Sequence, residues 1–185
     1  MANLEPLIQS IPVAPLKLAS LEGCRTLADQ VNNYLVSFRH ESPTNVGQDD
    51  SLQGYCADSY LLECECPRFG SGEGKGVLKE SVRGCDLFIM VDVTNYSLTY
   101  RVNGYENHMS PDNHYQDLKR IISAADGKAR RINVIMPFLY EGRQHKRSKR
   151  ESLDCALMLQ ELVDMGVSNI LTFDAHDPRV SNSIP

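Results

Sequence analysis

The sequence predicts an α/β fold built on a parallel sheet, because strand-like and helix-like segments alternate along its second half. Residues 86–93, 133–138 and 169–173 are short apolar runs with β-branched side chains. Residues 112–126 and 151–165, which separate them, carry apolar side chains at helical spacing. Such alternation is typical of parallel strands joined by right-handed crossovers. With 185 residues, the chain is long enough for one well-filled domain.

The first third of the chain is less regular. Residues 1–20 contain three prolines and show no clean period, so we predict an irregular arm there. Residues 21–38 are predicted to form an amphipathic helix. Its apolar side chains recur at spacings of three and four, at Leu27, Val31, Leu35 and Phe38. Residues 40–58 are polar and turn-rich, and we expect a surface loop or insertion.

A small antiparallel excursion is predicted between this loop and the regular part. Residues 59–67 and 76–80 have strand character, and the glycine-rich residues 69–76 form a loop between them. This loop lacks the G-K-[ST] of a P-loop and the spacing of a dinucleotide-binding loop, so by itself it indicates a hairpin turn. The sequence also lacks the G-x-S-x-G elbow of a serine hydrolase.

Composition argues against several classes of function. The 19 basic and 24 acidic residues give a net charge of −5, which is unlike a general nucleic-acid binder, although a local basic patch could still hold phosphates. No run approaches the roughly 18 apolar residues of a membrane span. The N-terminal residues lack the basic start and apolar centre of a signal peptide. We therefore expect a cytoplasmic protein without nucleic-acid or membrane partners.

The six cysteines form no C-x-x-C pair, so their spacing does not favour a structural zinc site. Cys64 and Cys66 alternate within an apolar run, which predicts two thiols on one face of a strand. Scattered, unpaired cysteines are typical of buried thiols in a reducing cytosol.

The segment after the second predicted strand, residues 143–150, holds five arginines and lysines within eight residues. Parallel sheets bind ligands in loops beyond the carboxyl ends of their strands, and arginine has a planar fork that matches phosphate oxygens. The segment could therefore bind a polyphosphate, or it could be a solvated loop that precedes a helix. Lys146 and Lys149 are expected to face solvent in either case.

A second group of polar side chains follows the third predicted strand. Asp174 and His176 are two residues apart, so on an extended chain they point the same way. A carboxylate and a neutral imidazole can orient a hydrated Mg²⁺ or Mn²⁺ whose remaining ligands are phosphate oxygens. The alternative is a capping aspartate beside a histidine packed at the sheet edge.

Taken together, these segments resemble the ribose-phosphate diphosphokinase family, the phosphoribosyl pyrophosphate (PRPP) synthetases. The resemblance runs from about residue 68 to residue 185 and keeps order and spacing almost without gaps. Residues 1–67 match poorly apart from the predicted helix. The matching motifs are Arg68-Phe69 with Gly72-Glu73, Val82-Arg83-Gly84 with Asp86, Arg131-Ile132-Asn133-Val134-Ile135-Met136-Pro137-Phe138, Arg143-Gln144 and Asp174-Ala175-His176.

The resemblance implies a three-layer, phosphoribosyltransferase-like domain over residues 21–185. Subunits of this family hold two such halves and transfer the diphosphoryl group of ATP, with Mg²⁺, to the 1-hydroxyl of ribose 5-phosphate, giving PRPP and AMP. The chain resembles the N-terminal half, which supplies most of the ATP site. The second half, with a mobile Lys/Arg loop and an Asp-Asp segment ending in Thr-Gly-Gly-Thr that binds ribose 5-phosphate, does not occur in this sequence. We therefore expect a piece of a longer protein that is inactive alone.

The resemblance also implies roles for the two polar segments at the strand ends. Arg143 and Gln144 would contact the nucleotide, with Arg143 stabilising charge on the phosphates. Asp174 and His176 would lie at the Mg²⁺–triphosphate site. Arg143 and His176 would be the catalytic residues.

A third implied site segment is the glycine-rich loop. Phe69, Ser71 and Glu73 match a loop that reaches the adenine in a neighbouring subunit's site, which implies that ATP binding requires a homo-oligomer. Three positions depart from the family pattern. Ser71 stands where aspartate is common, His145 where aspartate is usual, and Asp177 where alanine is common. Ser71 removes one acceptor for the adenine amino group and so weakens the expectation of adenine selectivity, and the other two departures suggest a divergent branch.

Two other interpretations compete with the N-terminal half of a PRPP synthetase. One is a non-catalytic relative that binds nucleotide, or a true synthetase, and regulates it. The other is a fragment of a phosphoribosyltransferase, which is disfavoured because the acidic PRPP-binding segment is missing from this sequence.

Overall fold

The computed structural model describes residues 12–41, 55–144, 146–147, 149–177 and 179–180. The strands are β1 (Leu16–Ser20), β2 (Leu61–Leu62), β3 (Cys64–Glu65), β4 (Val77–Leu78), β5 (Asp86–Met90), β6 (Thr99–Val102), β7 (Tyr105–His108), β8 (Arg131–Ile135) and β9 (Val167–Leu171). The helices are α1 (Arg25–Glu41), which follows a 3-10 turn at Glu22–Cys24, α2 (Pro111–Ala125) and α3 (Asp154–Asp164). None of these helices is both long and apolar enough to cross a membrane.

Five strands form a parallel sheet in the order β2-β1-β5-β8-β9. The parallel α/β sheet predicted from the sequence is confirmed. Strands β5, β8 and β9 and helices α2 and α3 lie within a few residues of the predicted segments. The predicted strand over 59–67 is two short strands, β2 and β3, of which only β2 belongs to this sheet.

The prediction of an irregular arm over residues 1–20 is wrong for its last five residues. Leu16–Ser20 form β1, which lies between β2 and β5 and pairs in parallel with both. The predicted domain boundary at residue 21 would therefore cut through the sheet. Residues 1–11 lie outside the described part of the chain, so the rest of the predicted arm is untested.

Helix α1 buries only part of the apolar stripe predicted for it, of which Val31 packs against the core. Leu27 is 36% exposed, whereas Ala28 and Asn32 are buried. The polar Asn32 is tolerated there because its side-chain oxygen accepts a 2.8 Å hydrogen bond from the backbone N–H of Tyr60. The helix is thereby tied to the start of β2.

Helices cover both faces of the sheet, as a three-layer arrangement requires. Leu87 and Ile89 of β5 join the principal core with α2 and α3, while Met90 of the same strand packs with Leu18 and Ala28 beneath α1. This division follows from the alternation of side chains along a strand. The apolar positions predicted for α2 are confirmed as core, and they are Tyr115, Leu118, Ile121, Ile122 and Ala125.

A polar network, buried at Asp86 and Asn133, joins β5, β8 and the edge strand β9. Arg131 donates two hydrogen bonds to the carboxylate of Asp86, and the side-chain nitrogen of Asn133 lies 2.7 Å from the same carboxylate. Asn169 donates to Asn133 at 2.7 Å. These contacts fix the alignment of β5, β8 and β9 on the side of the sheet opposite the predicted ligand loops. Asp86 and Asn133 are therefore structural parts of the family pattern.

Two antiparallel hairpins flank the central sheet. Strands β3 and β4 enclose the glycine-rich loop, which confirms the predicted antiparallel excursion. The second hairpin, β6–β7, lies in what was predicted to be a polar loop after β5. Its turn is Asn103-Gly104, both with positive φ (50° and 84°), the most common sequence of a tight hairpin turn. The Asn-Gly signal for this hairpin is therefore present in the sequence.

Candidate functional site

The loops that follow β8 and β9 are joined to each other at the carboxyl edge of the sheet. The backbone of Phe138 pairs with that of Asp174 in an isolated parallel bridge, and the N–H of Leu139 donates to the carbonyl of Asp174 at 3.2 Å. The N–H groups of Phe173 and Asp174 donate to the carbonyl of Pro137 at 3.1 and 3.0 Å. Two of the three predicted site segments are thus held side by side.

Arg143 is presented by a tight turn beyond β8. The N–H of Gly142 donates to Leu139 at 3.1 Å, and the N–H of Gln144 donates to Glu141 at 2.8 Å. The Arg143 guanidinium is exposed and lies over the Phe138 ring, with its central carbon 5.8 Å from the ring centroid. An exposed guanidinium held near a ring face keeps N–H groups that an anion can reach.

The predicted metal ligands lie on the adjacent loop. Asp174 and His176 are both exposed and follow the end of β9 within five residues. Within the described residues, no group of three or more His, Cys, Asp or Glu side chains is arranged to hold a metal ion. Asp177, the position that departs from the family pattern, accepts from the backbone N–H and the guanidinium of Arg179 at 2.8 Å. Its carboxylate therefore stabilises the local turn.

The remaining basic residues of the segment after β8 are exposed. Lys146 and Lys149 face solvent as predicted, and Arg147 and Arg150 do so as well. His145 lies outside the described residues, so nothing is added to its interpretation.

The carboxylates of Asp154 and Asp112 lie near that of Glu141, which belongs to the same turn. Burial raises the pKa of Glu141, and the nearby Asp154 and Asp112 raise it further. Tyr140 donates a 2.6 Å hydrogen bond to Asp112 and stacks on Tyr115 at 4.6 Å between ring centroids. Negative charge is therefore concentrated on this side of the turn, while Arg143 and the basic segment are exposed to solvent.

The glycine-rich loop is a closed turn with an exposed aromatic side chain. The N–H of Phe69 donates to Glu73 at 2.7 Å, and the N–H of Gly72 returns a 2.9 Å bond to Phe69. The Ser71 hydroxyl donates to the Glu73 carboxylate at 2.7 Å, and the Phe69 side chain is 54% exposed. Such a turn can offer a ring for stacking and a carboxylate for hydrogen bonding to a flat heterocycle.

The predicted site residues thus fall into two groups. Arg143, Gln144, Asp174 and His176 lie on the joined loops after β8 and β9, whereas the Phe69 loop is anchored to α2. That anchor is Arg68, whose guanidinium makes two hydrogen bonds to Asp117.

Sequence reasoning did not single out a cleft of about 280 Å³ beside this anchor. His114 lines it and is 2% exposed, with its Nε2 atom 2.6 Å from the carbonyl of Asn95. The lining residues come from five separate segments of the chain, among them Arg25, Glu65, Arg68, Tyr100, Met109, His114 and Asp117. No local spacing could have predicted this grouping.

The chain is similar to known proteins over most of its length. The family model for the N-terminal domain of ribose phosphate pyrophosphokinase matches residues 16–166. A ribose-phosphate pyrophosphokinase of Corynebacterium ammoniagenes is 29% identical over 167 residues, covering 89% of this chain and 41% of that protein. One of Bacillus caldolyticus is 30% identical over 122 residues, covering 65% and 34%. The chain spans about two fifths or less of these relatives.

A solved structure shares the fold. The phosphoribosylpyrophosphate synthetase of Mycobacterium smegmatis superposes with a TM-score of 0.67 at 24% sequence identity, over 91% of this chain and 45% of that one. The family-model match begins at β1 and ends at residue 166, so it includes the loop after β8 that holds Arg143 and stops before β9. The chain belongs to the ribose phosphate pyrophosphokinase family and carries that family's N-terminal domain.

Proposed function

We propose that this chain is the nucleotide-binding half of a ribose-phosphate diphosphokinase. In the proposed reaction the 1-hydroxyl oxygen of ribose 5-phosphate attacks the β-phosphorus of ATP. The bond from that phosphorus to the oxygen it shares with the α-phosphate breaks, AMP leaves, and the hydroxyl proton is released. Such a transfer depends on positioning and on neutralising phosphate charge, with little covalent chemistry for the protein.

One observation carries the proposal. Phe138 pairs through its backbone with Asp174 and lies beneath the guanidinium of Arg143. A cation that suits phosphate oxygens and a carboxylate that suits a divalent metal are therefore held on neighbouring strand ends. This is the edge where parallel α/β sheets bind their ligands.

The donor set fits Mg²⁺ bound together with a triphosphate. Mg²⁺ usually takes one or two carboxylates from the protein and the rest of its shell from phosphates and water. Exposed Asp174 beside His176 meets that need, and the lack of a three-residue cage among the described residues is consistent with it. Bound Mg²⁺ would supply charge neutralisation at the β- and γ-phosphates. Asp174 and His176 would hold and orient the complex, and Arg143 would bind the phosphates directly.

The proposal is tested by titrating the chain with Mg²⁺-ATP and comparing Arg143→Ala with the unmodified protein. We expect the substitution to weaken binding by at least about 1.5 kcal/mol, as for a charge-assisted contact. Arg83→Ala is the matched control, because Arg83 is also exposed but precedes β5 at the opposite edge of the sheet. Equal affinity of Arg143→Ala and the unmodified chain would remove Arg143 from the site.

The resemblance supplies two further parts of the proposal, an oligomer and a missing partner half. We expect the chain alone, incubated with ATP, Mg²⁺ and ribose 5-phosphate, to release no AMP at an enzymatic rate. Sedimentation at the concentrations used for titration reports whether binding accompanies association. Rapid AMP formation by the isolated chain would contradict the proposed division of labour between the two halves.

A regulatory, non-catalytic relative is the second candidate. The observation that favours it is the 2.7 Å hydrogen bond from Ser71 to Glu73, because it engages within the loop two residues that would otherwise reach the adenine. A chain of this kind would bind Mg²⁺-ATP with little preference over Mg²⁺-GTP. A preference for ATP of tenfold or more would favour the synthetase half.

A further inference from the structure

The β6–β7 hairpin is a regular, well-anchored element that no part of the proposed function uses. Four residue pairs connect its strands, from Thr99 opposite His108 to Val102 opposite Tyr105. Its base is closed by a 2.9 Å hydrogen bond from the N–H of Met109 to the carbonyl of Leu98. The His108 ring stacks on that of Tyr96 at 4.5 Å and hydrogen-bonds its carbonyl at 2.8 Å. The hairpin is therefore a regular element, closed at its base, in the segment between β5 and α2.

One face of this hairpin rests on the glycine-rich loop. Tyr100 and Val102 are half-buried, whereas Thr99 and Arg101, on the opposite face of the same strand, are more exposed. The Tyr100 ring lies under the guanidinium of Arg68, whose central carbon is 5.3 Å from the ring centroid.

The hairpin also touches the loop at its two glycines. The N–H of Asn103 points to the carbonyl of Gly70 at 3.4 Å. A side chain placed on Gly72 would put its Cβ 2.9 Å from a methyl carbon of Val102, and Gly72 has a φ of +91°, in the region that favours glycine. Gly72 therefore combines a close contact with the hairpin and a left-handed backbone, and both features favour glycine at this position.

We infer that the β6–β7 hairpin is a positioning element for the loop of residues 69–73, and that Tyr100 and Val102 are its positioning residues. They hold the loop in the closed turn from which the Phe69 side chain projects. A loop ordered in advance loses less conformational entropy on binding, so the hairpin raises affinity for the base of the nucleotide. It adds nothing to phosphate binding, which lies with Arg143. The inference rests on the proposed function.

The test compares two ligands on two matched double variants. Tyr100→Ala/Val102→Ala removes the face that touches the loop, and Thr99→Ala/Arg101→Ala removes the opposite face of the same strand. The probes are Mg²⁺-ATP and Mg²⁺-tripolyphosphate. We expect the first variant to bind ATP about five- to tenfold more weakly, the scale of ordering a few side chains. Its tripolyphosphate affinity should be unchanged, and the second variant should bind both probes like the unmodified chain. Tyr100→Phe, with Val102 unchanged, keeps the ring and should bind ATP as tightly as the unmodified chain.

A ligand-free measurement separates this inference from the proposed function. Amide hydrogen exchange at Phe69 and Gly72 should be faster in Tyr100→Ala/Val102→Ala than in the control variant, because both amides are hydrogen-bonded in the closed turn. Unchanged exchange overturns the inference even if the chain binds ATP as proposed. Equal loss of ATP and tripolyphosphate affinity overturns it as well. If the unmodified chain binds neither probe, the proposed function fails, and the role in base recognition fails with it.

Discussion

The guanidinium of Arg68 makes two hydrogen bonds to the carboxylate of Asp117, at 2.6 and 2.8 Å, and both side chains are more than nine-tenths buried. Arg120 donates to the same carboxylate at 2.6 Å. The arrangement fastens the start of the glycine-rich loop to the middle of α2. Arg68 is part of the family pattern. Its role here is to hold the loop, because its guanidinium N–H groups already donate to the carboxylate of Asp117.

Asp117→Asn should destabilise the chain by about 3 kcal/mol, because it leaves the buried Arg68 guanidinium without its counter-charge. Denaturant unfolding measures the change. The control is Glu65→Gln, which breaks an ion pair to Lys79 whose two side chains are 44% and 40% exposed. That change should cost less than about 1 kcal/mol. Similar losses in the two variants would contradict a buried anchor at Asp117.

Gly76 lies directly against the backbone of α2. A Cβ at this position would be 2.3 Å from the carbonyl oxygen of Arg120, which cannot move without breaking the helix. Gly76→Ala should therefore cost about 1–3 kcal/mol, the usual range for overpacking. Gly70→Ala, in the same loop, has open space around its Cβ and should change stability by less than about 0.5 kcal/mol. Thermal unfolding of both variants checks the contrast.

Glu141 should make stability depend on pH. Burial and the nearby Asp154 and Asp112 raise its pKa above the ordinary 4.5, so the folded chain binds this proton more tightly than the unfolded chain. Its contribution to stability is therefore favourable at low pH and is lost as pH rises through the raised pKa. Glu141→Gln should stabilise the chain at pH 7 by less than about 1 kcal/mol, since the carboxyl is partly exposed.

The advantage of Glu141→Gln should shrink as the pH falls through the raised pKa of Glu141 and disappear below 4.5, where the carboxyl is protonated in both the folded and the unfolded chain. Unfolding curves at several pH values measure it. Glu63→Gln, at an exposed position, serves as the control. A stabilisation by Glu141→Gln that is equal at low and neutral pH would show that the effect does not come from the charge.

The cysteines should differ sharply in reactivity. Cys56 is exposed, whereas burial raises the pKa of Cys64 to about 11 and those of Cys24 and Cys66 to about 12. Only the thiolate reacts readily, so the native chain at pH 8 should show one fast-reacting thiol. Cys56→Ser should abolish that fast phase, and all six thiols should react in denaturant. Two or more fast thiols in the native chain would contradict the packing around Cys64 and Cys66.

Much of the framework could be predicted because it depends on local pattern. The apolar pattern of consecutive residues indicates both the strand at Asp86–Met90 and the helix at Pro111–Ala125. The predicted bounds of both are close to those found. The roles of Arg143, Asp174 and His176 came from resemblance, and the structure adds that their two loops are joined. Their ligands and chemistry stay predictions.

Other features depend on contacts between distant residues. Asn32 can be buried on α1 because Tyr60 supplies a hydrogen-bond donor from 28 positions away. The segment before Arg39 gives no sign that its guanidinium lies over the rings of Tyr55 and Tyr60, at 4.5 and 4.7 Å, beyond the polar loop. Helical spacing carries information only about residues of the same helix, so it does not reveal either contact.

From the sequence alone one can obtain the α/β class, the order of the regular elements and the family, because each is recorded in local spacing or in short motifs. Only the tertiary structure decided that Leu16–Ser20 is a central strand and that the β6–β7 hairpin rests on the glycine-rich loop. Five residues between a proline-rich stretch and a turn have little strand preference of their own. They form β1 because its backbone N–H and C=O groups find partners on both β2 and β5, and those partners lie more than 40 residues further along the chain.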